Sequence, residues 1–356
     1  MLMNIPLRQD RRCNYASLKK LNRGDTLAIV SPSWGGPGIF PHIFEQGLAN
    51  LRSLGFNIVE MPSARTAADV LFSQPQLRAK DINDAFADPN IAGIISSIGG
   101  SDSARILPYL DKSVILNNPK FMMGYSDFST LTTLLNQWGL VTFNGPSVMA
   151  GFSQYHNASA EYQAYLAQAL LGEVHYPIFK AYSHGYPEWA IPENVGKLHP
   201  AIATNGPKVL QGTGQVEGRL FGGCFEVMEM LKGTEYWPSP SFWQDKLLFL
   251  ETSEDKPSQD YIRFWLRNYG VMGVFEKISG LMIGRARDYS EREMAALDEV
   301  ILSVVRDEFG CDSLPVITRL DFGHTDPQWI LPLGIQHRLD LDNFSLDAIE
   351  PVFDLL

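Results

Sequence analysis

The chain has few cysteines, and none is placed to pair or to hold a metal. Cys13, Cys224 and Cys311 are its three cysteines. They lie far apart with no C-x-x-C spacing, which excludes a disulfide framework and a zinc knuckle and fits a reducing compartment. The seven histidines include no H-x-x-x-H pair and no facial-triad spacing, so metal-assisted hydrolysis is not indicated. Neither G-x-x-x-x-G-K-[ST] nor a G-x-G-x-x-G after a strand occurs, so the sequence calls for no metal and no cofactor. Positive charge is short as well. Lys and Arg number 29 against 40 Asp and Glu, a net charge of −11, which argues against nucleic acid as a partner. No run approaches the roughly 20 apolar residues of a membrane span, and no apolar segment follows the basic N-terminus. No membrane association is therefore expected, and the expected location is cytoplasmic.

What is present is a globular composition, 45% hydrophobic and 11% aromatic over 356 residues, long enough for two domains. The pattern divides as residues 1–20, an N-terminal extension; 21–171, an N-terminal α/β domain; 172–207, a connector; and 208–356, a C-terminal domain. In the first domain, apolar runs at 26–30, 56–60, 91–98 and 121–124 alternate with helical spacing such as Phe44, Leu48, Leu51 and Leu54. Residues 78–87 read as a helix with Asp81 and Asp84 outward. This alternation predicts a parallel sheet flanked by helices, with functional groups gathering at the carboxyl ends of its strands. The connector is rich in His, Pro, Tyr and Gly and lacks periodicity. Its Phe179, Tyr182 and Trp189 either staple it down or touch substrate. The C-terminal part alternates strands and helices less regularly, predicting an α+β domain of mixed β structure.

One stretch organises the rest. Residues 121–124 form a short apolar run that stops at Gly124, presents Ser126, and passes at once into helical spacing at Leu131, Leu134, Leu135 and Trp138. A serine at a strand-to-helix turn is exposed beside backbone N–H donors able to hold an oxyanion. The usual elbow, G-x-S-x-G, lacks its second glycine here, because Phe128 occupies that place. Capping of the helix by Ser126 or Asp127 is the competing reading.

Two further groups stand just beyond other short apolar strands. Glu251 follows residues 246–250, and His324 follows Gly323 in the loop after 315–317. A hydroxyl is a weak nucleophile until a base takes its proton, and an imidazole does this best when a carboxylate fixes its tautomer. Ser126, His324 and Glu251 supply those three roles, although an ion pair of Glu251 with Arg285 or Arg287 is the plainer alternative.

At this point the chain resembles the serine peptidase family that contains the LD-carboxypeptidases of murein recycling and the microcin C self-immunity proteins. The resemblance spans about residues 24–353. It rests on Gly24-Asp25-Thr26 with Ser31-Pro32-Ser33, Gly99-Gly100 before Leu107-Pro108-Tyr109, Gly124-Tyr125-Ser126-Asp127, Gly218-Arg219-Leu220 with Gly222-Gly223, Leu250-Glu251, and Gly323-His324-Thr325-Asp326 before Leu331-Pro332-Leu333-Gly334. It implies a Ser126, Glu251, His324 triad assembled between two domains, an oxyanion hole from the backbone N–H groups of Asp127 and Gly100, and a homodimer. Residues 98–103 and 251–258 are more similar to the immunity branch. That branch implies hydrolysis of an amide-type bond at the C-terminal end of a peptide in a small peptide or peptidyl-nucleotide substrate. Trp189 and Phe179 are then the expected base-stacking residues, with Ser101 and Arg285 as further substrate contacts. The murein LD-carboxypeptidase activity is the alternative, and a non-catalytic binder of such ligands the alternative of another class. Cys224 stands where the family pattern implies asparagine.

Overall fold

In the computed structural model, residues 15–16 and 18–354 are described. Fifteen strands are defined among them, and the first five belong to the sheet that leads into Ser126. They are β1 (Thr26–Val30), β2 (Asn57–Glu60), β3 (Gly93–Ser96), β4 (Phe121–Gly124) and β5 (Thr142–Asn144). The connector holds a two-stranded ribbon, β6 (Ala181–Tyr182) with β7 (Ile202–Ala203). The rest are β8 (Lys208–Gln211), β9 (Gln215–Cys224), β10 (Lys246–Glu251), β11 (Gly280–Gly284), β12 (Val316–Leu320), β13 (Leu331–Leu333), β14 (Gln336–Asp340) and β15 (Ser345–Ala348).

The first sheet runs β13-β5-β4-β3-β1-β2 and is parallel except for β13. The second runs β15-β14-β9-β10-β11-β12-β8, with a parallel centre and antiparallel edges. Strands β3, β4 and β10 are buried along their whole length. That is why they read as continuous apolar runs rather than as alternation: helices or a neighbouring layer cover both faces. Each fully buried Ile, Leu, Phe or Met contributes about 1.5–3 kcal/mol.

Three sequence expectations change here. The helix Pro75–Ala87 does not turn Asp81 outward, because Asp81 is buried and accepts a hydrogen bond from the Ser63 amide at 2.7 Å. The connector is not structureless. β6 and β7 pair, and Ser183 exchanges backbone bonds with Asp326 at 2.7 and 3.0 Å, tying the connector to the loop that carries His324. The expected boundary at 207/208 is crossed by β13, which joins the first sheet beside β5. Of the N-terminal extension, residues 1–14, with Cys13, and residue 17 lie outside the described residues. Tyr15 donates to Asn136 at 3.0 Å, and Leu18 is buried.

The two sheets meet at the carboxyl ends of their strands. Gly223 at the end of β9 allows that meeting: a Cβ there would stand 2.5 Å from Ser129 Oγ, on the helix Ser129–Gln137 that follows β4. The same hydroxyl accepts the Cys224 amide at 3.1 Å.

Candidate active site

Ser126 sits on a strained turn. Gly124 closes β4 because a Cβ there would lie 2.5 Å from Ser96 Oγ and 2.6 Å from the Phe128 ring. Tyr125 is extended, and Ser126 then takes φ 60°, a left-handed conformation that costs a residue with a side chain about 1–3 kcal/mol. The surrounding buried residues, Asp127, Phe128 and Ser129, hold it there. Neither Ser126 nor Asp127 caps a helix with its side chain, since the turn 126–128 and the helix after it both start without a side-chain cap bond. Asp127 instead turns inward, accepting the Ser103 amide at 2.8 Å, and burial raises its pKa.

The glycine pair lies directly over this turn. A Cβ on Gly99 would be 2.9 Å from Ser126 Cβ, 3.0 Å from Ser126 Oγ and 3.4 Å from the Asp127 nitrogen. Gly99 is therefore the member of the pair that faces the serine, whereas Gly100, at φ +147°, packs against Ser33 and Trp34. Ser101 is exposed beside it. The loop is anchored by Asp102, which receives both arms of buried Arg78 at 2.8 and 3.0 Å.

Glu251 ends β10 and is fully buried. His324 donates from Nδ1 to Glu251 Oε2 at 2.6 Å. The Tyr125 ring stands edge-on to the imidazole with centroids 4.9 Å apart, which places His324 beside the residue preceding Ser126. The opposite ring nitrogen is also engaged: His324 Nε2 lies 3.0 Å from Glu254 Oε2. Burial alone would lower the His324 pKa, but the two carboxylates outweigh it and raise it to about 10. Burial pushes Glu254 up, and the imidazolium's hydrogen bond and charge bring it down to about 2. For Glu251, burial wins over His324 and the pKa rises.

The loop after Glu251 is held by Glu226, which accepts the Ser253 amide at 2.9 Å and its hydroxyl at 2.8 Å. Cys224, in the place expected for asparagine, is buried with Sγ 3.2 Å from the other Glu226 oxygen. Burial, with the neighbouring carboxylates adding to it, raises the thiol's pKa well above its ordinary value.

Of the expected substrate contacts, the structure brings only some to the site. Trp189 stacks on Tyr186 with centroids 4.2 Å apart, meets Phe40 edge-on at 5.9 Å, and through Phe40 reaches Trp34, whose amide donates to Gly99 O at 3.2 Å. Phe179 lies elsewhere, packed edge-on against Tyr162 and Tyr165. It lines a cavity of about 490 Å³ behind the His324 loop, with Tyr182, Ser183 and Asp326. Arg285 is 1% exposed and committed to Asp321 at 3.0 Å, so it is a structural ion pair rather than a substrate contact. The arginine that faces the site is Arg287, stacked over Tyr186 at 4.7 Å. Sequence reasoning missed Arg287, Tyr186 and Glu254; only the motif 251–258 could have pointed to Glu254. Among the described residues no cluster of three or more His, Cys, Asp or Glu is arranged to hold a metal ion.

The fold and this site define a class. Residues 27–145 match the LD-carboxypeptidase N-terminal domain and residues 217–339 the LD-carboxypeptidase C-terminal domain, so the chain belongs to the LD-carboxypeptidase family, peptidase family S66. Among its relatives are a putative carboxypeptidase of Vibrio cholerae, 27% identical over 92% of this chain and 96% of that one, and the microcin C7 self-immunity protein MccF of Escherichia coli, 27% identical over 92% and 94%. A crystal structure of an MccF-like protein from Streptococcus pneumoniae in complex with AMP superposes with a TM-score of 0.82 at 28% identity, covering 92% of this chain and all of that one.

Proposed function

We propose that this chain is a serine hydrolase in which Ser126 attacks an amide-type carbonyl, His324 takes its proton, and Glu251 orients the imidazole. In this reading residues 21–171 contribute the nucleophile, and residues 208–356 the acid and base. The observation that carries it is the His324 to Glu251 bond of 2.6 Å, set beside Tyr125 and the left-handed Ser126 turn. The attack gives a tetrahedral oxyanion, for which the backbone N–H groups of Asp127 and Gly100 are the proposed donors. Collapse expels the leaving group with the proton from His324, and water then hydrolyses the acyl-enzyme by the same base.

The substrate reading is a peptidyl or aminoacyl nucleotide, detoxified by cleavage at the C-terminal end of its peptide. Its support is the kinship with the microcin C7 self-immunity protein and the AMP complex of the MccF-like structure. Trp189 is the aromatic residue proposed to stack on the base, and because it is buried, stacked on Tyr186 and met by Phe40, this reading requires that packing to open when substrate enters. Murein LD-carboxypeptidase activity is the second reading, supported by the matches to both LD-carboxypeptidase domains. Incubation with glutamyl sulfamoyl adenosine and, separately, with a murein tetrapeptide, followed by mass spectrometry, tests both. Cleavage of the tetrapeptide alone overturns the nucleotide reading. Undiminished cleavage by Ser126→Ala overturns the serine mechanism, and binding without product from either protein makes the chain a binder.

A further inference from the structure

Arg287 carries more donors than it has partners. Its side chain is 10% exposed, its Nε has no hydrogen-bond partner, and Nη2 reaches the Tyr186 carbonyl only at 3.4 Å. The one carboxylate in ion-pair range, Asp288, stands 3.4 Å away on a half-exposed side chain. A guanidinium has five N–H donors, and leaving them unmatched away from water is costly. Arg285, two residues earlier, also has an unpaired Nε but keeps both arms engaged, with Asp321 at 3.0 Å and Thr204 at 3.2 Å, and its contrast with Arg287 lies in those arms. Arg287 is nonetheless held in place by the Tyr186 ring beneath it, itself stacked on Trp189.

Its position is beside the base. The Cβ position of Gly185 lies 3.6 Å from Arg287 Nη1, 3.5 Å from Asp326 Oδ2 and 3.7 Å from the His324 carbonyl. Glu254, close enough to Arg287 for each charge to favour the other, places its carboxylate 3.0 Å from His324 Nε2. That nitrogen must be free to receive the Ser126 proton in an acyl transfer. A carboxylate on a half-exposed side chain therefore occupies a place that has to be vacated before reaction.

We propose that Arg287 is the anion-recognising residue of this site: it takes a negatively charged group of the substrate adjoining the scissile bond, and Glu254 fills that place until substrate arrives. The inference rests on the hydrolase reading above for where the scissile bond lies. It names what the two substrate readings share. A peptide substrate carries the carboxylate of its C-terminal amino acid next to the scissile bond, and a peptidyl nucleotide carries there an ionised acyl sulfamate or a phosphoryl group. Planar, forked donors suit all of these anions.

Calorimetric binding in the Ser126→Ala background tests this without turnover. The probes are glutamyl sulfamoyl adenosine against its N-methylated, non-ionising acyl sulfamate, and a murein tetrapeptide against its C-terminal amide. The anionic member of at least one pair binds about 10–100-fold tighter, and which pair shows it identifies the source of the anion. Arg287→Met reduces that preference to less than about 3-fold, and Arg287→Lys keeps part of it. Glu254→Gln acts in the opposite direction, tightening the anionic probe about 5-fold by removing its internal competitor and leaving the neutral one unchanged. No preference for the anion in either pair, or a preference that survives Arg287→Met, overturns the proposal. Preference without hydrolysis by the wild type keeps it and removes only the hydrolase reading.

Discussion

Gly323 and Glu251 fit one against the other: a Cβ on Gly323 would stand 2.6 Å from Glu251 Oε2, the oxygen that holds His324. The residue before His324 is glycine for that reason and for its φ of +98°. Gly323→Ala is expected to push the carboxylate aside and lower kcat about 100-fold, the usual cost of misplacing a catalytic group by about 1 Å. Stability falls by about 1–3 kcal/mol from the left-handed strain. Steady-state kinetics beside thermal unfolding measures both, and unchanged kcat in a folded variant would show that Glu251 does not orient the base.

The His324 pKa of about 10 has a sign that can be followed. A base acts unprotonated, so kcat/KM of the wild type climbs through neutral pH into the alkaline range. Glu254→Gln removes one of the two carboxylates and moves that limb to lower pH. The raised pKa also contributes stability that is fully present below pH about 6.5, the unfolded value, and lost as pH rises through about 10. Urea unfolding of the two proteins across pH 6–10 should show a smaller loss in Glu254→Gln; identical curves and identical limbs would remove Glu254 from the description.

His337 works in the other direction. It is buried, Nδ1–H donates to the Ile335 carbonyl at 3.0 Å, and Nε2 accepts from Tyr176 at 2.8 Å. Burial lowers its pKa to about 4. The unfolded chain takes up this proton near pH 6.5 and the folded chain does not, so stability falls as pH drops from about 6.5 to 4. Replacing it, as in His337→Gln, flattens that part of the stability curve while lowering its height. An acid limb of unchanged slope argues against this assignment.

Arg78 secures the glycine loop from below through its fork onto Asp102 and its bonds to the Pro32 and Ser33 carbonyls at 3.0 and 3.2 Å. Arg78→Met leaves Asp102 without its buried partner. The expected cost is about 3 kcal/mol, the low end for breaking a buried pair, because Asp102 keeps 16% exposure. Urea denaturation reads the loss, and kcat/KM falls with it as Gly99 loosens over Ser126. A variant with wild-type stability and reduced turnover would separate the two effects.

Much of this was legible in the sequence where period and position agree. Strands β3, β4 and β10 announce themselves because burial on both faces leaves no polar alternation, and the carboxyl ends of strands mark the candidate site. Ser126 stands two residues past β4, Glu251 is the last residue of β10, and His324 lies in the loop after β12. The misses have a common physical origin, in that a loop side chain points where distant backbone sends it. Nothing local distinguishes Arg285, buried on Asp321, from Arg287, which faces the site. Nothing periodic marks Glu254, and Asp81 looked solvent-facing because the partner that buries it, Ser63, comes from another loop. The inward turn of Asp127 likewise depends on Ser103.

Strand β13 sets an order of events during synthesis. It completes the sheet that leads into Ser126 from a point after His324 in the chain. On a ribosome, where the N-terminal part emerges first, β5 stays an open edge of unpaired amides and carbonyls until residue 331 is available. By then the strand bearing Glu251 and the loop bearing His324 have also been made. A chain that stops short of His324 thus has neither a finished sheet beneath Ser126 nor the proposed base, and the candidate site is assembled only after residue 331 has been made.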